Sequence, residues 1–424
     1  MRQFTGKRGA IAAAAACLMV VMTLSGCAQA PTVSIDLPEQ AAGAFPDDTT
    51  QQMQDAVSHA MAAAGASGAI VGVWAPWSGS WVAGVGTQSF ADDTPVSVDD
   101  RFHVADVTRA MTCDILYDLD AQKKLDADAS VTDYVGGVAQ LEDITLRQLC
   151  DSTSGLGTYE GQLLSSWLRT PDRAWNPREL AAYGIGKRNG QTPGTAYRSS
   201  DAGYLLLGLA LERASGMTAQ ELVDEYIAEP LALEKTALPA AASSGLEGDD
   251  VLTGLFTKKV KGKRQCTEPT EVTGTSSSVG FTDSGVVSDV ADLGRYAQAL
   301  ATDALLPKGS DRYAQIYPAS SKAQSWDQRS GGTVRMGSMV GQYGAVPGYA
   351  TSAFSDPASG LTVVVALNNS AAGGKMAAYL SWELAALASK APAASGETAP
   401  DAGLPWTAEQ QHDKLADAAI CSTE

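Results

Sequence analysis

Residues Phe102-His103-Val104-Ala105-Asp106-Val107-Thr108-Arg109 run into a helix, and the rest of the chain is read outward from them. Val107, Met111, Ile115 and Leu119 recur at helical spacing, with Ala110 beside them, so an apolar face is expected over 106–120. Asp106 stands just before this run, where an N-cap belongs. A carboxylate there is favoured by the helix dipole by about 0.3–1 kcal/mol. Asp106 and Arg109 are also spaced i, i+3 for an ion pair on one helix face.

Working outward, Thr49–Ala64 predicts an amphipathic helix, and Gly68–Trp74 a strand by its β-branched content. Trp77–Ser80 is a turn and Trp81–Val85 the returning hairpin partner. Residues 160–265 read as mainly helical, with Gly203–Ser215 and Thr218–Ala228 ending at Gly216 and before Pro230. Residues 331–370 read as closing strands, among them the apolar run Leu361–Leu367, and Ala371–Ser389 as a final helix. Ala391–Leu404 is an Ala/Pro/Ser-rich linker, and Trp406–Ala418 a short docking helix. This order implies an α+β fold: an antiparallel sheet flanked by helices, with an all-helical lobe inserted at about 130–290 of a domain spanning 49–389.

Phe-x-x-x-Ser-x-x-Lys at the head of such a helix resembles the active-site segment of the serine β-lactamase and penicillin-binding protein family. The likeness is to its class C-like and D-alanyl-D-alanine carboxypeptidase branch. Ile144–Leu149, Ser152-Thr153-Ser154-Gly155-Leu156 and Gly285-Val286-Val287-Ser288 match further landmarks in order. The resemblance implies a β-lactamase/transpeptidase-like fold and no cofactor. In that family a serine forms an acyl-enzyme and a lysine one turn later accepts its proton. Here Asp106 holds the serine position and Arg109 the lysine position. A carboxylate is a better leaving group than the amine it would displace, and a guanidinium keeps its proton near neutral pH.

The family's Tyr-x-Asn lies here in Pro193-Gly194-Thr195-Ala196-Tyr197-Arg198-Ser199-Ser200-Asp201. Ser199 takes the tyrosine position and Asp201 the asparagine position, while Tyr197 falls two residues early and is expected to pack elsewhere. The final Lys/His-x-Gly motif becomes Gln342-Tyr343-Gly344. Gln342 brings no charge for a substrate carboxylate, and Gly344 leaves room for a backbone approach to a ligand. No serine stands three residues before a lysine anywhere in the chain, and no Gly-x-Ser-x-Gly elbow occurs.

The reading that follows is a non-catalytic member whose cleft binds a zwitterionic peptide, a cell-wall fragment or a protein partner. The alternative is an active serine hydrolase (β-lactamase, carboxypeptidase or esterase) recruiting Ser199, Ser200 or Thr108. A third possibility pairs Asp106 with Asp201 for glycoside hydrolysis. His59, His103 and His412 are the only histidines, with His103 expected on a strand, so a Ser-His-Asp triad has little to form from.

Composition narrows the partners. The 424 residues carry a net charge of −18, and an acidic surface disfavours nucleic acid. Arg2, Lys7 and Arg8 precede an apolar run, and Leu24-Ser25-Gly26-Cys27 resembles a bacterial lipobox. Residues 1–26 are expected to be a lipoprotein signal peptide, with Cys27 lipidated and residues 27–48 a tether holding the protein outside the cell membrane. Cys113, Cys150, Cys266 and Cys421 then remain, an even number in an oxidising compartment. The family's fold places Cys150 near the central helix, which implies a Cys113–Cys150 disulfide and leaves Cys266–Cys421 as the second. None of the four lies in Cys-x-x-Cys, so no metal site is expected.

Overall fold

The computed structural model describes residues 33–138, 140–241, 244–401 and 403–422. The proposed signal peptide and Cys27 lie outside these residues. Leu361–Leu367 sets the centre of the fold. Its strand, Thr362–Leu367, is buried on both faces because its side chains alternate between two cores. Val363, Val365 and Leu367 pack toward helices Asp47–Ala64 and Lys375–Ala388. Val364 and Ala366 belong to the opposite core, which contains the central helix Val107–Ala121.

The strands form one nine-stranded antiparallel sheet. Its order is Tyr317–Pro318, Asp327–Ser330, Thr333–Met336, Met339–Val346, Tyr349–Ser355, Thr362–Leu367, Gly68–Ala75, Gly79–Ser89 and Asp92–Pro95. The closing strands therefore begin before residue 331, and six of them replace the expected few. The register that matters for function pairs Gln342 with Ala353 and Gly344 with Thr351. His103 does lie on a strand, the two-residue Phe102–His103 paired with Val287–Ser288, and it is buried against Tyr349.

The helical lobe departs from expectation after residue 231. Asp201–Ser215 and Ala219–Val223 are helices, and Asp224–Ala228 continues as one π-turn. Residues 255–271, read as part of a mainly helical region, instead form two small hairpins. The Gly373-Gly374 pair, with Gly373 at φ 80°, delays the last sheet-covering helix to Lys375.

The expected tether is also corrected. From residue 33 the chain is docked on the domain: Val33 donates to the Pro230 carbonyl at 2.7 Å and Ala41 to that of Pro76 at 2.8 Å. Phe45 is buried. An apolar anchor and paired backbone groups hold this segment where a solvated linker was expected.

Both disulfides are present, Cys113–Cys150 and Cys266–Cys421, with Cα separations of 5.6 and 5.8 Å. The first fixes the central helix to Leu146–Cys150, and the second fixes the C-terminal tail to the hairpin region. The docking helix runs Ala408–Asp417 behind a Thr407/Gln410 capping box.

Candidate functional site

The central helix does not begin as an ordinary capped helix. Ala105 has φ 50°, a left-handed conformation that costs a non-glycine residue on the order of 1 kcal/mol. Asp106 has helical dihedrals and its side chain accepts no hydrogen bond from the first-turn amides. The expected N-cap is therefore absent, because the carboxylate turns to Arg109, 3.0 Å from Nη1.

Arg109 is the hub. It is buried, and its guanidinium lies 5.1 Å from the centre of the Tyr204 ring. Nη1 also donates to Ser199 Oγ at 3.0 Å, Nη2 to Asp201 Oδ1 at 3.0 Å, and Nε to Asp283 Oδ1 at 2.9 Å. Asp201 Oδ2 accepts from the Tyr159 amide at 3.0 Å, and Asp283 Oδ2 from the Tyr159 hydroxyl at 3.2 Å. Three elements far apart in sequence thus close on one guanidinium.

Asp283, Tyr159 and Glu160 were not legible as site residues. Asp283 sits 174 residues from Arg109, next to a matched landmark but in no motif of its own. Asp106, Arg109, Ser199 and Asp201 are brought together. Gln342 joins their cleft only at its edge. Its Nε2 donates to the Gly332 carbonyl at 2.8 Å and its Oε1 accepts from the Tyr343 amide at 2.9 Å, so its polar atoms are spent on backbone. The space beside Gly344 is taken as well. A methyl group there would lie 2.3 Å from the Asp106 carboxyl carbon, so Asp106 fills the place where a ligand backbone was expected. Tyr197 lines the cleft under Arg329, whose guanidinium is 5.5 Å from its ring, rather than packing elsewhere.

The hydroxyls proposed as nucleophiles are engaged. Ser200 caps the Asp201–Ser215 helix, accepting from Gly203 at 3.0 Å, and is fully buried. Thr108 Oγ1 accepts from the Val286 amide at 3.2 Å. Ser199 faces the cleft, but the neighbour that bonds its Oγ is Arg109, which cannot accept a proton. As a glycosidase pair, Asp106 and Asp201 share Arg109 between them, which occupies the gap a sugar would need.

The cleft has two contiguous chambers, of about 270 and about 600 Å³, sharing Asp106, Arg109, Ser199, Tyr343 and Lys375. In the smaller chamber the Arg109 guanidinium faces Asp106, Asp201, Asp283 and, at the exposed rim, Glu160. Burial, and after it this excess of acid, pushes protons on. Burial, then Asp283, raises the Asp201 carboxyl to about 6 against the pull of Arg109. Asp106 is raised by the same desolvation, and Glu160 to about 7, an effect that solvent at the rim screens.

A raised folded-state pKa makes the folded state bind the proton more tightly than the unfolded chain. The Asp201 contribution is present below pH 4 and is lost as pH rises to about 6, by roughly 2–3 kcal/mol. Urea unfolding at pH 4.5 and 6.5 should show Asp201→Asn flattening this slope relative to the wild type. An unchanged slope would remove Asp201 as its source.

A sheet whose Met339–Val346 strand carries Gly341 and Gly344, a buried central helix preceded by the left-handed Ala105, and a cleft at the head of that helix are the architecture of the beta-lactamase family. The beta-lactamase family signature matches residues 53–386, and the chain belongs to this family. Penicillin-binding protein 4* of Bacillus subtilis (strain 168) is 24% identical over 274 residues, covering 63% of this chain and 60% of that protein. A putative fimbrial assembly protein FimD (serogroup D) of Dichelobacter nodosus is 30% identical over 147 residues, 33% of this chain. The chain spans only 36% of that relative's length. Among solved structures, a D-stereospecific amidohydrolase from Streptomyces superposes with a TM-score of 0.68 at 22% identity, over 80% of this chain and 99% of that one.

Proposed function

We propose that this protein is a lipid-anchored envelope member of the family that binds a peptide in its cleft without hydrolysing it. The observation that carries the reading is Arg109, locked by Asp106, Asp201 and Asp283 at the place where a nucleophile and its base would work. A guanidinium held by three carboxylates will not take a proton from anything.

The smaller chamber suits a ligand ammonium. Asp106, Asp201, Asp283 and Glu160 outnumber Arg109 and Lys375, and Tyr159, Trp167 and Tyr343 supply aromatic walls. Ring faces and carboxylates both favour cations. The name of the Streptomyces neighbour, a D-stereospecific amidohydrolase, supports a D-amino-acid peptide as ligand.

Calorimetric titration with tri-D-alanine, and with the same peptide N-acetylated, tests this. Acetylation removes the charge and should weaken binding roughly 10- to 100-fold. Equal affinity of the two would sink the ammonium assignment.

The lipid anchor rests on Leu24-Ser25-Gly26-Cys27, and none of the described helices is long and apolar enough to cross a membrane. Cys27→Ser should move the protein from the membrane fraction to the medium; retention in the membrane would reject the anchor.

A further inference from the structure

The family match ends at residue 386, yet the cleft does not. Helix Ala408–Asp417, outside the matched region, brings Lys414 into the wall of the larger chamber. Lys322 and Lys375 line the same chamber. Among the described residues none of these three ammoniums has a carboxylate within 4 Å. Asp327, the other acid there besides Asp106, is already paired with Arg329. In a chain of net charge −18, the convergence of three lysines on one cavity, rather than their lack of carboxylate partners, is what needs a reason.

The extension is built in rather than draped. Trp406 is buried; its ring centre lies 6.0 Å from that of Trp326 and 6.2 Å from that of Trp382, both of which line the cavity. Its Nε1 donates to the Trp382 carbonyl at 2.8 Å. Leu415 is fully buried beneath the helix, and the Ile420 amide donates to the Ala63 carbonyl at 2.9 Å. The Cys266–Cys421 disulfide closes the tail behind it. Lys414 itself lies over Tyr379, with Nζ 5.8 Å from the ring centre, on the cavity side.

We propose that the C-terminal extension completes an anion subsite, in which Lys414, Lys322 and Lys375 bind the carboxylate end of the peptide whose ammonium enters the acidic chamber. The inference rests on the reading of the cleft as a peptide-binding site. The two chambers have opposite charge and meet at Asp106, Arg109 and Lys375, so a dipolar ligand lies across them in one orientation. The ligand class is thereby narrowed from any amine to a peptide with a free C-terminus. Gln342 cannot take the family's cationic place, and the lysines of the larger chamber supply the charge from another direction.

The test compares tri-D-alanine, its C-terminal amide and its N-acetyl form on the full chain, wild type and Lys414→Gln, by calorimetry at low salt. The acid should bind the wild type about five- to tenfold more tightly than the amide, and Lys414→Gln should abolish that preference while leaving amide affinity unchanged. Lys414→Arg should retain the preference. Because Lys414 is exposed, the substitution does not threaten folding.

Equal binding of acid and amide by the wild type, with N-acetylation still weakening binding, would overturn the anion subsite and leave the ammonium site standing. An acid preference that survives Lys414→Gln would remove the extension from it. Inorganic phosphate displacing the peptide while the amide matches the acid would overturn the carboxylate assignment. Failure of all three peptides to bind would overturn the peptide reading and the subsite with it.

Discussion

Replacing Arg109 with methionine is expected to destabilise the protein by about 3–5 kcal/mol, because it leaves Asp106, Asp201 and Asp283 buried around a missing counter-ion. Asp201 and Asp283 lost nearly all their water on folding and Asp106 most of it, and each is compensated chiefly by this one guanidinium. Some of the penalty is relieved by proton uptake, so the loss should be larger at pH 8 than at pH 5. Arg109→Lys should recover little. One ammonium cannot reach Asp283 from Nε, Asp201 from Nη2 and Ser199 from Nη1 at once, and the planar fork is what joins three segments. Equilibrium denaturation at both pH values measures this. A variant within 1 kcal/mol of the wild type would show that the network is ornamental to stability.

The second large expectation concerns chemistry. Asp106→Ser with Arg109→Lys puts back the family's serine and lysine, and the double variant should still form no acyl-enzyme. The new lysine would lie between Asp201 and Asp283, whose charges hold an ammonium protonated. A lysine that keeps its proton is no base for a serine, and loss of such a base leaves rates lower by on the order of 10⁶. Adding Asp201→Asn, the family residue at that position, removes one of the two charges and is where reactivity should first appear. Labelling by a fluorescent penicillin, read on gels, distinguishes the cases. Labelling of the double variant alone would mean that the surrounding site still supports acylation and that only two residues separate it from an enzyme.

Much of the fold could be read from local signals. The helical spacing of Val107, Met111, Ile115 and Leu119 marked the central helix, since a buried helix must present apolar residues at that period. The run at 361–367 was readable as a buried strand for the same kind of reason. What misled was the assumption that a polar residue ahead of a helix serves that helix. Asp106 looked like a cap, but a buried guanidinium one turn away is a stronger partner than first-turn amides that already donate to the Val104, Ala105 and Asp106 carbonyls.

The rest of the site depends on tertiary meetings that no window of sequence contains. Asp283 reaches Arg109 only because the Asp201–Ser215 helix and the Phe281–Ser284 turn pack against the central helix. Lys414 reaches the cleft only through the docking of Trp406. The expected space beside Gly344 failed differently: the glycine was read correctly as a close approach, but what approaches is the chain's own Asp106. A missing side chain says that something comes near, not what it is.

The central claim is that no hydroxyl in this cleft can be acylated. Intact-mass spectrometry of the wild-type protein after prolonged incubation with benzylpenicillin, and separately with a fluorophosphonate, tests it directly. The predicted result is an unchanged mass with both reagents. A stoichiometric mass increase mapped to Ser199, or to any other hydroxyl lining the cleft, would contradict it.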